Sequence, residues 1–127
     1  MTRFATLLFL AAALAACSSL MLDPLEQLRS ANKQNLAKVA RGMTRGEVES
    51  VMGHERAGGK LPEVLFGRLQ YLEAKNPMRE ETHGDQLVLY YYTDVKTRDD
   101  RITDDELTPV VLRDGKVVGV GRRFLRR

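Results

Sequence analysis

The chain has 127 residues, 43% hydrophobic and 29% charged, with one cysteine and no tryptophan. That length excludes a multidomain architecture and supplies one domain able to bury its own core, and a single thiol excludes a disulfide framework, so the fold must rest on packing. With 20 basic against 17 acidic residues the net charge is +3 and the pI about 9.2, a balance that in a cytoplasmic protein would point to nucleic acid.

The first residues change the meaning of that charge. Arg3 gives a small positive start, and Phe4 to Ala16 is an unbroken run of apolar and small residues. The run is too short to span a bilayer as a helix, but its length and flanks fit the core of a secretory signal, so residues 1–16 read as a signal peptide. It ends in Leu14-Ala15-Ala16-Cys17, which resembles the lipobox of bacterial lipoproteins. The resemblance implies cleavage before Cys17 and acylation of Cys17, making it the membrane anchor. The alternatives are an ordinary signal with an incidental cysteine, or a buried cysteine of the mature fold. Ser18 follows the cysteine where a retention signal would have Asp, and by the same resemblance this implies release to the periplasmic face of the outer membrane. Export places nucleic acid out of reach and leaves lipid headgroups, lipopolysaccharide and envelope proteins as acidic partners. Removing Arg3 leaves 19 basic against 17 acidic residues, or +2. Residues 17–23 form the anchor and a short linker, whose stretch from Ser18 to Asp23 reaches about 20 Å when extended. Residues 24–127 read as a single α+β domain.

In that domain Asp23-Pro24-Leu25-Glu26 is a helix start: an N-cap acid, Pro at the first helical position and Glu at N3. Leu25, Leu28, Leu36 and Val39 continue a helical stripe to about Ala40, interrupted by Asn32 and Asn35, each expected to be half-exposed or internally hydrogen-bonded. Gly42 allows a tight turn into a second helix. Thr44 and Glu47 compose a capping box, Gly53 suits the terminating position, Val48, Val51 and Met52 share one face, and Met43 can staple onto it. Residues 54–60 read as a loop broken by Gly58-Gly59. Leu61, Leu65, Leu69 and Leu72 predict a helix over Leu61 to Ala74. Asn76-Pro77 marks a turn, and His83-Gly84-Asp85 a hairpin tip between Arg79–Thr82 and Gln86–Val95. Leu87 to Thr93 is the strongest strand, rich in aliphatic residues and tyrosines. Thr108–Leu112 and Lys116–Val120 form a second hairpin around Asp114-Gly115. Both faces of these strands carry apolar residues, so both need cover. The two helices are expected on one side, and Leu61–Ala74, a partner or partial solvent on the other.

Gly42-Met43-Thr44, Glu47-Val48 and Met52-Gly53, followed by a sheet in a lipobox protein, resemble the small lipoproteins of the BamE/SmpA type. That resemblance implies two helices on a three-stranded antiparallel sheet and an accessory part in inserting barrels into the outer membrane. A broader pattern is similar to an uncharacterised family of proteobacterial lipoproteins. It covers Asn32 to Leu36 and on to Gly53, Asn76 to Arg79, Tyr90 to Asp94, Arg98 to Asp100, Thr103 to Pro109 and Asp114 to Lys116. It implies no catalytic residues, and His54 to Ala74 carries no motif of it.

The densest set of oxygen ligands is Asp99, Asp100, Asp104, Asp105 and Glu106. Its spacing lacks the glycine and terminal glutamate of an EF-hand, and Arg98 and Arg101 are placed to pair with it. His54 and His83 have no Ser, Cys or carboxylate at triad spacing, and no glycine-rich phosphate loop follows a strand. The reading is therefore non-catalytic, with no cofactor and no metal. Arg122, Arg123, Arg126 and Arg127 bracket Phe124-Leu125, either as a solvated end of the last strand or as a contact with anionic headgroups. Tyrosine combines large contact area with a polar tip. A protein partner is accordingly expected on the sheet face opposite the helices, near Tyr90 and Tyr92, with the acidic loop as a charged rim. The competing account makes the tyrosines core beneath Leu61–Ala74. The two functional classes are a lipid-anchored structural or interaction module of the envelope, and a periplasmic ligand- or metal-binding lipoprotein using loop 99–106.

Overall fold

The computed structural model describes residues 23–60, 71–97 and 101–126. Helix α1 spans Pro24–Leu36 and α2 Arg45–Met52. Among the described residues six strands follow: β1 Arg56–Lys60, β2 Tyr71–Lys75, β3 Arg79–His83, β4 Gln86–Tyr92, β5 Leu107–Arg113 and β6 Lys116–Val120. Short 3-10 turns occupy Asp104–Glu106 and Arg122–Phe124. Strands β3 to β6 make a four-stranded sheet in sequence order, while β1 and β2 pair separately. All pairings are antiparallel. The class is α+β, with one strand more in the main sheet than the resemblance implies.

The helix ends form as their caps dictate. Asp23 accepts from the Leu25 amide at 3.0 Å, so the first turn of α1 has a partner for one of its free donors. At α2 the Glu47 amide donates to Thr44 Oγ1 at 3.3 Å, and the Thr44 amide to Glu47 Oε2 at 3.1 Å. The capping box is complete. Helix α1 ends at Leu36, before the expected Ala40, because Lys38 and Val39 bond three residues back, to Asn35 and Leu36, the tightening typical of a last turn.

The Gly42-Met43-Thr44 stretch does more than turn the chain. The Gly42 amide donates to Val117 O and the Val117 amide to Met43 O, both at 2.8 Å, and Thr44 bridges Lys116. It therefore pairs with the outer side of β6 and covers an edge that would otherwise offer free backbone groups. Gly42 reaches this path at φ +91°, where a Cβ would be strained.

Two cores lie on the two faces of the sheet. Val88, Tyr90 and Tyr92 of β4 join Leu107 and Val111 of β5 under Leu25 and Leu28 of α1 and Ala57 and Ala74 of the β1–β2 pair. Leu89, Tyr91, Val110, Leu112 and Val117 pack on the other face against Val48 and Met52 of α2, with Leu36, Val39 and Met43 at the margin. The two helices, expected together on one side, thus cover different faces of the sheet. The start of α1 covers one face, α2 the other, and the end of α1 crosses toward α2.

Residues 56–60 form a strand although they read as a loop. Tyr71 to Ala74 belong to its partner, although they read as the end of a helix. The rest of the expected helix, residues 61–70, lies outside the described residues, as do the signal, Cys17 and most of the linker. At the other hairpin Asp114 and Gly115 both take positive φ, 51° and 75°, as a two-residue turn between twisted strands requires. A register shift between Val111 and Leu112 marks a bulge. It leaves Gly119 against the Phe124 ring, where a Cβ would come within 2.4 Å. Phe124 O accepts from the Gln86 amide group and from Arg113, each at 3.3 Å. The C-terminal turn is docked on the sheet rather than frayed.

Candidate functional site

Helix α1, the end of α2 and β4 meet at the turn from β2 to β3. Asn32, fully buried on α1, and Asn76, 6% exposed, exchange amide hydrogen bonds of 3.0 and 2.7 Å. Asn32 Nδ2 also donates to Tyr92 O, and Asn76 Nδ2 to Met52 O, both at 2.9 Å. One side-chain pair therefore ties α1, the end of α2, the turn and β4. Each of these buried bonds is net-favourable by about 1 kcal/mol, while an orphaned partner costs about 1–3. Asn32 occupies the stripe position seven residues after Leu25, so the interruption of the stripe was itself the signal of a buried polar contact. Asn35 is half-exposed.

From the turn, β3 sends charges to both faces. Arg79 lies over the Tyr90 ring with 4.3 Å to the centroid and bonds Asp104 at 2.7 Å, with Glu81 at 2.8 Å. The Asp104 hydrogen bond raises the Arg79 pKa despite partial burial. Glu80, on the opposite face, takes both terminal nitrogens of Arg45 at 2.8 and 2.7 Å, and Arg45 also holds Glu49 at 2.9 Å. These contacts raise the Arg45 pKa, Glu80 most of all. Such half-exposed pairs are screened by solvent and contribute modestly.

Beside the same turn lies a cleft of ≈ 360 Å³. His54 from the loop after α2, Arg56 at the start of β1, Lys75 at the end of β2, and Arg79 and Glu80 at the start of β3 line it. Arg56 and Lys75 are register partners across β1 and β2. No local pattern joins this cluster, since 54–60 reads as loop and 61–74 as helix; only strand pairing brings Arg56 and Lys75 together.

The expected site residues fall as follows. Tyr90 and Tyr92 are each 5% exposed and lie in the core under α1 and the β1–β2 pair. The exposed aromatic docking face is thereby corrected: the chain's own apolar surface covers those rings, as in the competing account, with a strand pair in place of a helix. Asp99 and Asp100 lie outside the described residues. Asp104 and Asp105 are exposed. Asp104 is held by Arg79 and its carbonyl by Arg122, and Asp105 accepts from the Thr103 hydroxyl. Glu106 is 2% exposed. Its Oε1 accepts from the Lys96 and Thr97 amides at 2.8 and 3.3 Å, and its Oε2 from the Thr103 amide at 2.9 Å. Its carboxylate closes the loop between β4 and β5 from inside, rather than facing a partner. Among the described residues no three His, Cys, Asp or Glu side chains gather as a metal site would need, and no helix is long and apolar enough to cross a membrane.

An α+β domain with a sheet covered on both sides and a cationic cleft at its strand junction is the class that the geometry defines. The chain matches the model of a protein family of unknown function, DUF3192, over residues 23–127 and belongs to that family. No curated protein and no solved structure matches it.

Proposed function

We propose that this protein is a lipid-anchored envelope lipoprotein, a non-catalytic structural or protein-interaction module at the periplasmic face of the outer membrane. The observation that carries the reading is Leu14-Ala15-Ala16-Cys17, with the only cysteine of the chain placed directly after an apolar run. The resemblance of the Gly42-Met43-Thr44 helix to the BamE/SmpA type supports an accessory part in outer-membrane assembly or integrity. An envelope protein is the partner in this reading, and the exposed Asp104 and Asp105 supply a charged rim that would act on encounter and orientation more than on affinity. The competing reading, a cation or small ligand held by loop 99–106, has against it that both Glu106 oxygens are occupied by backbone amides.

Metabolic labelling with a fatty-acid analogue tests the anchor. The natural chain is expected to take up label and to fractionate with membranes, whereas Cys17→Ser stays unlabelled and unprocessed by the lipoprotein peptidase. Label retained on Cys17→Ser would sink the reading. Calorimetric titration with calcium is expected to show no saturable heat.

A further inference from the structure

We propose that the cleft at the β2–β3 turn is an anion site whose ligand is a phosphate group. The first ground is charge placement. Arg56 and Lys75 stand opposite each other across an antiparallel pair, an arrangement that repels and costs stability unless something negative lies between. Among the described residues Arg56 pairs with Glu73, at 3.7 Å with both side chains more than half exposed, a contact that neutralises little. Lys75 makes no side-chain ion pair with any described residue.

The second ground is that the acid within the cleft is already occupied. Glu80 carries a two-pronged contact from Arg45, which also holds Glu49, so both Glu80 oxygens are taken from the α2 side. Arg79 is held by Tyr90, Asp104 and Glu81, so Arg56 and Lys75 are the cations of the cleft left for a ligand. His54 adds a ring nitrogen able to donate. The third ground is rigidity. The Asn32–Asn76 exchange and the bonds from the Asn76 amide to Glu55 O (2.9 Å) and the Met78 amide to Tyr90 O (2.8 Å) hold the turn. The cations therefore come from a fixed frame, which lowers the ordering cost of binding. Arginine forks and a lysine ammonium are the groups that suit phosphate oxygens, and ≈ 360 Å³ holds a phosphate with its first substituent. The inference stands apart from the lipid anchor: it needs the cleft, not Cys17.

The test is a titration of the full chain in uncharged detergent, followed by backbone amide NMR at Lys75, Asn76, Met78 and Arg79. Inorganic phosphate is added at constant ionic strength, with chloride as the control anion. In parallel, the same shifts are followed with a water-soluble short-chain phosphatidic acid, with short-chain phosphatidylcholine as its control. Saturable shifts confined to the cleft, weakened at least tenfold in Arg56→Gln/Lys75→Gln and unchanged in Lys38→Gln, are expected. Saturation by inorganic phosphate assigns a free phosphate; a saturable response to phosphatidic acid alone, lost in the double variant, assigns a lipid headgroup. Either outcome supports the site. Absence of a saturable response to both probes, or equal responses in the double variant, overturns it. A well-dispersed spectrum of the double variant excludes misfolding as the cause, and Lys75→Gln alone, expected to lose several-fold, gives a second reading.

Discussion

At the residue scale the buried polar atoms without a hydrogen-bond partner among the described residues are the Tyr91 hydroxyl and the Nε of Arg79 and of Arg113, and both arginines bond through another nitrogen. Tyr91 is fully buried, and its hydroxyl finds no hydrogen-bond partner among the described residues. Burial, with Glu49 nearby as the next cause, pushes its pKa up to about 12 from 10.0. The neutral ring is therefore the form that the fold prefers. Its stabilising effect is complete below the unfolded value near pH 10 and is lost as pH rises through about 12. The full loss is on the order of 3 kcal/mol. Alkaline unfolding followed by circular dichroism is expected to show a limb between pH 10 and 12 that shrinks in Tyr91→Phe. At pH 7 the same substitution should be neutral or stabilising by up to about 1 kcal/mol, because it removes a desolvated hydroxyl without orphaning a partner. A Tyr91→Phe variant destabilised by several kcal/mol would mean that the hydroxyl has a partner after all.

At the scale of elements, α2 is the most fully specified piece. Its cap, its staple and its terminating Gly53, at φ +74°, are local, and Val48 at 0% exposure is the point where it meets Leu89, Tyr91 and Val110. Val48→Asp places an unpaired carboxylate there, and a cost of several kcal/mol or local unfolding follows. Against the ~5–15 kcal/mol that holds an ordinary domain, thermal melts should show loss of the cooperative transition. A melt unchanged within error would place Val48 elsewhere. The stretch before α2 has a second duty, since its pairing with β6 ends the sheet. Charge does the same at β3, whose Arg79, Glu80 and Glu81 leave an edge unattractive to another strand.

For the whole molecule the Asn32–Asn76 pair is the point of greatest leverage, because four elements meet on two side chains. Asn32→Ala would orphan Asn76 Oδ1 and Tyr92 O together, at a cost of about 3 kcal/mol. For a domain of this size that is a fall in melting temperature of roughly 12–24 °C. Differential scanning calorimetry checks it, and a fall of only a degree or two would show that water or neighbouring groups replace the lost bonds. The loss should reach the cleft as well, with faster amide exchange at Asn76 and Met78 than at the Asp114-Gly115 turn on the far side of the sheet.

What the sequence determined by itself is the part governed by neighbours in the chain. Asp23 with Pro24, Thr44 with Glu47, and Asp114 with Gly115 fix helix starts and a hairpin turn through bonds and φ values within a few residues, and the period of two from Leu87 to Tyr92 shows a strand with both faces buried. Tertiary structure decided everything that needs a distant partner. Gly58-Gly59 reads as a breaker, and Tyr71 to Ala74 as helix, until the two segments pair. The tyrosines read as a free face until α1 and that pair close over them, and Glu106 as an acid on a surface loop until three amides turn inward to it. The cleft residues sit at positions 54, 56, 75 and 79, a spacing with no local meaning. They converge because backbone hydrogen bonding between β1 and β2 and the amide exchange behind the turn fix the ends of those strands together, and no period within the sequence encodes a pairing across residues 61–70.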